Sequence, residues 1–243
     1  MKNKTLLKVI LILFILLNIS FINHKDFKIA TISGNKYGMV IKNGSEKEKV
    51  VALTFDDGPH PKYTNQILDI LNKYDAKATF FVLGKFAEAY PKIVQRQWKE
   101  GHEIGNHTYS HININKTSRE KLQEEYEKTQ NIIYSLTKRE PRVFRPPYGS
   151  FDEKAMDIVE KNNSIIVLWS AHQDSKDWSN PEIDKIVNTT LSNIKNGDII
   201  LFHDYVYYDQ SHTVEALNRI LPELKNRGYK FVTMSQLIDL SLE

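Results

Sequence analysis

From residue 50 onward, short apolar runs alternate with longer stretches in which apolar residues recur at helical spacing. The runs fall at 50–55, 78–82, 102–105, 143–145, 165–169, 199–202 and 230–233. Amphipathic helical patterns fill the gaps at 64–74, 91–100, 118–135, 152–161, 181–194, 213–226 and 235–240. Two of these carry start signals: Thr117-Ser118-Arg119-Glu120 fits a capping box, and Asn180-Pro181 places a cap before a first-turn proline. Strand–helix repeats with no linker between them predict a single parallel α/β domain over 50–243, either a barrel or an open sheet.

The start of the chain follows another pattern. Lys2, Lys4 and Lys8 precede an all-apolar run at 9–17, which predicts a signal sequence or an N-terminal membrane anchor over 1–23. Residues 24–49 read as a polar linker containing a short strand pair at 30–32 and 37–41. Export of the remainder is expected, with membrane contact only through this first segment. The chain's formal net charge of +3 is carried by those three lysines, so the rest is neutral and has no global field for nucleic acid. There is no cysteine, which excludes disulfides and thiolate clusters and leaves His and carboxylate as metal ligands.

The candidate chemistry sits at the ends of the apolar runs. Thr54-Phe55-Asp56-Asp57-Gly58 puts two adjacent carboxylates at the mouth of a strand, where like charges are a cost without a cation. His107-Thr108-Tyr109-Ser110-His111 supplies two imidazoles at i and i+4, a spacing at which both can reach one ion. One Asp with two His makes a metal site with open positions, and the other Asp is left over as a base. Residues alone do not say which Asp does which, and an Asp-Asp-Gly-Pro by itself fits a solvated turn.

Three further segments follow other strands. Arg145-Pro146-Pro147-Tyr148-Gly149 places a fixed charge ahead of a stiff turn in which the Tyr148 amide is the next free donor after the prolines. Asp174, Asp177 and Trp178 share a polar loop, where an exposed indole suits a sugar ring. His203 ends the apolar run at 199–202, as a satisfied strand-end histidine or a general acid. Only a closed or nearly closed barrel brings so many strand ends around one pocket.

These five segments, in this order, closely resemble the polysaccharide deacetylase family, also called the NodB-homology or carbohydrate esterase 4 family, over about residues 50–240. The resemblance implies a deformed (β/α)7 barrel and a metal-dependent hydrolase that removes acetyl groups from polysaccharides. It is similar in particular to the peptidoglycan N-acetylglucosamine deacetylases. It further implies that Asp57, His107 and His111 hold the metal, Asp56 is the general base and His203 the general acid. Arg145 would orient Asp56, Asp174 would hold His203, and the Tyr148 amide would meet the oxyanion. Leu201 and Trp178 would enclose the acetyl methyl. The expected ion is Zn2+, although an Asp-His-His set also suits Co2+, Ni2+ or Mn2+. The expected partner is an acetylated cell-wall polysaccharide, acted on by a monomer. The alternatives are a deacetylase for chitin oligosaccharides, N-acetylmuramic acid or acetylxylan, or a noncatalytic glycan-binding module on the same barrel.

Overall fold

The computed structural model describes residues 40–242. The N-terminal segment over 1–23 and the strand at 30–32 lie outside them. Among the described residues no helix is long and apolar enough to cross a membrane.

The longest strand is β2 (Val50–Asp56), all seven residues of which are shielded from solvent. It pairs in parallel with β3 (Ala78–Val82) on one side and β7 (Ile199–His203) on the other. Outward from β3 come β4 (Glu103–Asn106), β5 (Val143–Phe144), β6 (Ile165–Val167) and the short β1 (Val40–Ile41). β8 (Lys230–Phe231) pairs with the start of β2. Every pairing is parallel, as the alternation with helices requires, because parallel neighbours need a crossover.

The sheet curls until its far ends are stitched together. Residues 170–174, just past β6, run beside β7: the Ser170 amide donates to the Ile199 carbonyl at 3.0 Å and the Leu201 amide to the Gln173 carbonyl at 3.2 Å. Asp174 forms a one-residue parallel bridge with Leu201. The seam is closed by a loop and not by a full strand pair, which is the deformation of this (β/α)7 barrel. Of the strand pair expected in the linker, only Val40–Ile41 falls in the described residues, and it pairs with β6.

Side-chain alternation along β2 separates core from chemistry. Val51, Leu53 and Phe55 point to the helices and join a cluster with Phe80, Phe202, Leu217 and Ile220. Phe55 stacks on Phe80 at 5.0 Å and lies 5.7 Å from Phe202, and burying one such ring contributes about 2–3 kcal/mol. Val50 and Ala52 face the barrel interior with Phe81, Val143 and Val167. The period of two then puts Thr54 and Asp56 on that inner face, above the apolar floor. Met234, Leu237 and Ile238 of the last helix plug the amino end of the barrel.

The helices are α1 (Tyr63–Lys73), α2 (Gly84–Ala89), α3 (Pro91–Lys99), α4 (Arg119–Thr137), α5 (Glu153–Lys161), α6 (Ile183–Ser192), α7 (His212–Asn226) and α8 (Met234–Leu240). Neither predicted start signal acts as expected. Ser118, not Thr117, caps α4 by accepting from the Lys121 amide at 3.2 Å, while the Thr117 hydroxyl donates back to the Asn113 carbonyl. Asn180 and Pro181 lie before α6, which begins at Ile183 with no side-chain cap. The capping box is instead Thr233 with Gln236, at α8.

Candidate active site

The strand ends place the chemical residues around one mouth, and the backbone there is unusual. Asp57, Thr108, His111 and Tyr148 all have left-handed φ angles, of 75°, 67°, 66° and 61°. Each such non-glycine residue carries a conformational cost, and it persists only where its surroundings over-determine it.

Asp57 leaves β2 in that conformation, so its carboxylate departs from the alternation that holds Asp56 inward. Its Oδ1 atom is buried and makes no hydrogen bond. His107 Nε2 lies 3.4 Å from it and His111 Nε2 3.3 Å, so three ligand atoms converge within 4.8 Å of one another. A buried carboxylate oxygen left unpaired is costly, and a divalent ion among these donors would satisfy it, so the residues fit such an ion.

The two histidines are prepared for that task by different means. His107 donates its Nδ1–H to the Arg145 carbonyl at 2.6 Å, which leaves Nε2 facing the cluster. Burial pulls its pKa down, but the charges of Asp56 and Asp57 outweigh this and raise it. Burial and the neighbouring His107 lower that of His111, which favours the neutral, ligating form. Burial opposes ionisation of Asp57, yet the surrounding histidines hold its pKa below the ordinary range.

The His107–His111 turn is fixed from beneath. Asn106 Oδ1 accepts from the Thr108 amide at 2.8 Å, and its amide nitrogen donates to the Tyr126 carbonyl and to Gln130. Thr108 Oγ1 accepts from the His111 amide at 3.1 Å. The buried Glu125 on α4 accepts from both the amide and the hydroxyl of Ser110, at 2.7 and 2.9 Å. Glu125→Ala should therefore weaken divalent-ion affinity by about tenfold, as loss of supporting partners does, read by titration of the apoprotein with Zn2+. An unchanged affinity would show that the turn holds its shape without Glu125.

Asp56 keeps one oxygen for Arg145. Arg145 Nη1 donates to Asp56 Oδ1 and to Thr54 Oγ1, each at 2.8 Å, and its other nitrogens donate to the Val167 and Leu168 carbonyls. The guanidinium is fully buried and stacks over Phe81 at 4.1 Å, so its position is rigid. Asp56 Oδ2 is thereby turned toward the cluster, 3.9 Å from His107 Nε2.

The carboxylate that hydrogen-bonds His203 is Asp177, not Asp174. His203 Nδ1–H donates to Asp177 Oδ1 at 2.8 Å, and the His203 amide and Thr213 hydroxyl donate to Asp177 Oδ2 at 2.8 and 2.7 Å. Asp174 is occupied by the seam, bridging to Leu201 through its backbone and accepting from the Lys176 amide at 3.0 Å. Both aspartates share one polar loop, and what separates them is the left-handed turn at Lys176, which sends Asp177 inward beneath His203. Burial lowers the His203 pKa, but Asp177 above all, with Asp57 and Asp56, pushes it up to about 9.

The other predicted residues stand on the rim and wall. Leu201 is buried opposite Thr54 in β7. Trp178 is 54% exposed beside Asp177, and Tyr148 is 66% exposed with its ring edge-on to His111 at 4.6 Å. The amides of Gly149 and Ser150 return to the Pro146 and Pro147 carbonyls. One buried acid had no sequence signal at all: Asp204, which accepts from the Thr64 hydroxyl at 2.6 Å and whose burial raises its pKa to about 7. A Cβ on Gly58 would fall 2.2 Å from its carboxylate oxygens, so the loop carrying Asp57 can approach β7 this closely only as glycine.

Comparison with known proteins gives the chain's family. A peptidoglycan-N-acetylglucosamine deacetylase of Bacillus cereus is 45% identical over 201 residues, spanning 83% of this chain and 93% of its own length. A crystal structure of a peptidoglycan N-acetylglucosamine deacetylase with 4-naphthalen-1-yl-N-oxidanyl-benzamide superposes with a TM-score of 0.80 at 40% identity, covering 86% of this chain and 96% of that one. A family 4 acetyl xylan esterase of Clostridium thermocellum, solved with a cobalt ion, gives a TM-score of 0.73 at 34% identity over 79% of this chain and 91% of its own. The family model described as polysaccharide deacetylase matches residues 43–164, and the chain belongs to that family.

Proposed function

We propose that the protein hydrolyses the acetamide of N-acetylglucosamine units in a cell-wall glycan, peptidoglycan in the first instance, releasing acetate outside the cytoplasm. The observation that carries this is the convergence on one mouth of Asp57, His107 and His111, an Arg145-held Asp56 and an Asp177-held His203. The relatives named for peptidoglycan N-acetylglucosamine support the choice of glycan.

Asp57, His107 and His111 would hold a divalent ion, with Zn2+ the expected one. When bound, such an ion supplies Lewis acidity, polarising a carbonyl and lowering the pKa of water to about 7. Asp56 Oδ2 takes the proton from the attacking water, because Arg145 occupies the other oxygen and leaves Oδ2 facing the cluster. Negative charge then gathers on the acetyl oxygen, and the Tyr148 amide is the protein donor suited to meet it. His203, protonated through Asp177, gives its proton to the departing amine, which is otherwise a poor leaving group. Leu201 and Trp178 enclose the methyl group.

An acetate-release panel over peptidoglycan fragments, N-acetylglucosamine oligomers and acetylxylan tests the reading. Peptidoglycan fragments should lose acetyl mass from N-acetylglucosamine. Acetate from acetylxylan alone, or from N-acetylmuramic acid alone, would overturn the substrate while keeping the chemistry.

A further inference from the structure

Seven large apolar side chains are exposed among the described residues, and four of them, Tyr148, Trp178, Tyr207 and Tyr208, stand on loops leaving the carboxyl ends of β5, β6 and β7. Large exposed apolar groups gathered on one rim mark a binding surface. Tyr148 and Trp178 flank the reaction centre. The loop after His203 has no role in the chemistry, yet it is built with care.

Val206 anchors this loop in the core, the Tyr63 hydroxyl donates to the Tyr208 carbonyl at 2.5 Å and Lys62 Nζ to the Asp209 carbonyl at 3.3 Å. Just before those tethers the Tyr205 ring stacks on Phe86 of α2, with centroids 4.4 Å apart and 6° between planes. The His60 ring meets Tyr205 edge-on at 4.8 Å, and Tyr207 extends the row at 5.1 Å. Tyr207 is the most exposed large apolar residue described, at 84%.

The row is continuous with the site. His60 is three residues past Asp57 and Tyr205 two past His203. The first amides of α2, those of Gly84 and Lys85, donate to the Thr108 and Tyr109 carbonyls in the turn between His107 and His111. A polymer with one unit at the reaction centre must leave across a rim. A pyranose offers an apolar C–H face that suits an aromatic ring and a hydroxyl edge that suits phenol oxygens and water.

We propose that Phe86, Tyr205 and Tyr207 form an aromatic ledge that binds a further sugar unit of the glycan chain, outside the reaction centre. The proposal rests on the reading of the substrate as a glycan. Its consequence is a preference for longer chains, because only a chain that runs on from the centre as far as Tyr207, the outermost ring of the row, gains that contact.

The test compares the hexamer and the dimer of N-acetylglucosamine. Tyr207→Ala, at an exposed position that does not threaten folding, should lower the hexamer-to-dimer ratio of kcat/KM by about five- to tenfold, the effect of one lost aromatic anchor. Tyr207→Trp should restore it, and Tyr134→Ala, an exposed aromatic on α4, should leave the ratio at its starting value. A native ratio in Tyr207→Ala would overturn the ledge. Should the native protein release acetate from neither oligomer, the deacetylase reading falls for these substrates. Calorimetry then decides the ledge: weaker hexamer binding by Tyr207→Ala upholds it, and equal binding removes it. A change of sedimentation from dimer to monomer in Tyr207→Ala would mean that a second copy covers this surface, and would also overturn it.

Discussion

Asp56→Asn should keep the divalent ion and lose acetate release by on the order of 10³-fold, the value of a positioned general base. Asp57→Ala should lose the ion as well. The two residues are adjacent, but Asp56 is tied to Arg145 and turned inward, whereas Asp57 presents a buried oxygen with no hydrogen bond to two histidine nitrogens. Asparagine preserves the shape of Asp56 and one acceptor for Arg145, while removing the charge that takes the proton. That charge also balances the buried guanidinium, so stability should fall by about 3 kcal/mol in urea denaturation. Thr54 and the Val167 and Leu168 carbonyls still solvate Arg145, and the variant should fold. Metal titration of both variants beside acetate assays checks the pair. Loss of the ion from Asp56→Asn with retention by Asp57→Ala would reverse the assignment.

That division between Asp56 and Asp57 was only half legible in the sequence. Two carboxylates at the end of an apolar run and two histidines at i and i+4 mark a metal site through spacing alone. The side each Asp faces depends on the left-handed turn at Asp57, which nothing in Asp-Asp-Gly-Pro announces. The strands were legible because parallel strands buried on both faces are apolar without interruption. β2, β3 and β7 accordingly lie where the runs lie. α2 was not, since six residues opening on glycine directly after β3 show no period.

The supports of the site were less legible still. Glu125 holds Ser110 from a helix 15 residues away, and Asp204 meets Thr64 across 140. Such contacts are set by how α4 and α1 pack on the barrel, not by any local pattern. The helix starts failed for a related reason: Thr117 and Asn180 have capping chemistry, but the Thr117 hydroxyl is drawn back to Asn113 and Asn180 accepts instead from the His212 amide. Asp174 and Asp177 are the sharpest case, as either could serve by composition and only the turn at Lys176 chooses.

Asp177→Asn should lower the rate by on the order of 10²-fold or more and move the alkaline limb of kcat/KM downward by about two pH units. The sign follows from His203. Burial alone would pull its pKa below the ordinary 6.5, and Asp177 is the foremost group pushing it up to about 9, with Asp57 and Asp56 behind it. A histidine raised in this way stays protonated, and able to serve the amine, until pH climbs through about 9. The same pairing stabilises the fold fully below pH 6.5 and is lost as pH rises through about 9. A divalent cation at Asp57 would offset the contributions of Asp57 and Asp56, which leaves Asp177 as the support that survives in the loaded enzyme. Asparagine can still accept a hydrogen bond, but without the charge the imidazolium is no longer favoured. The acid limb, which does not depend on His203, should move less. Asp174→Asn is the control: its carboxylate serves the Lys176 amide, and the alkaline limb should stay in place. If the limb held still in Asp177→Asn but moved when Zn2+ was exchanged for Co2+, water at the metal site and not His203 would set it, and the role of Asp177 would reduce to holding the His203 backbone and Thr213.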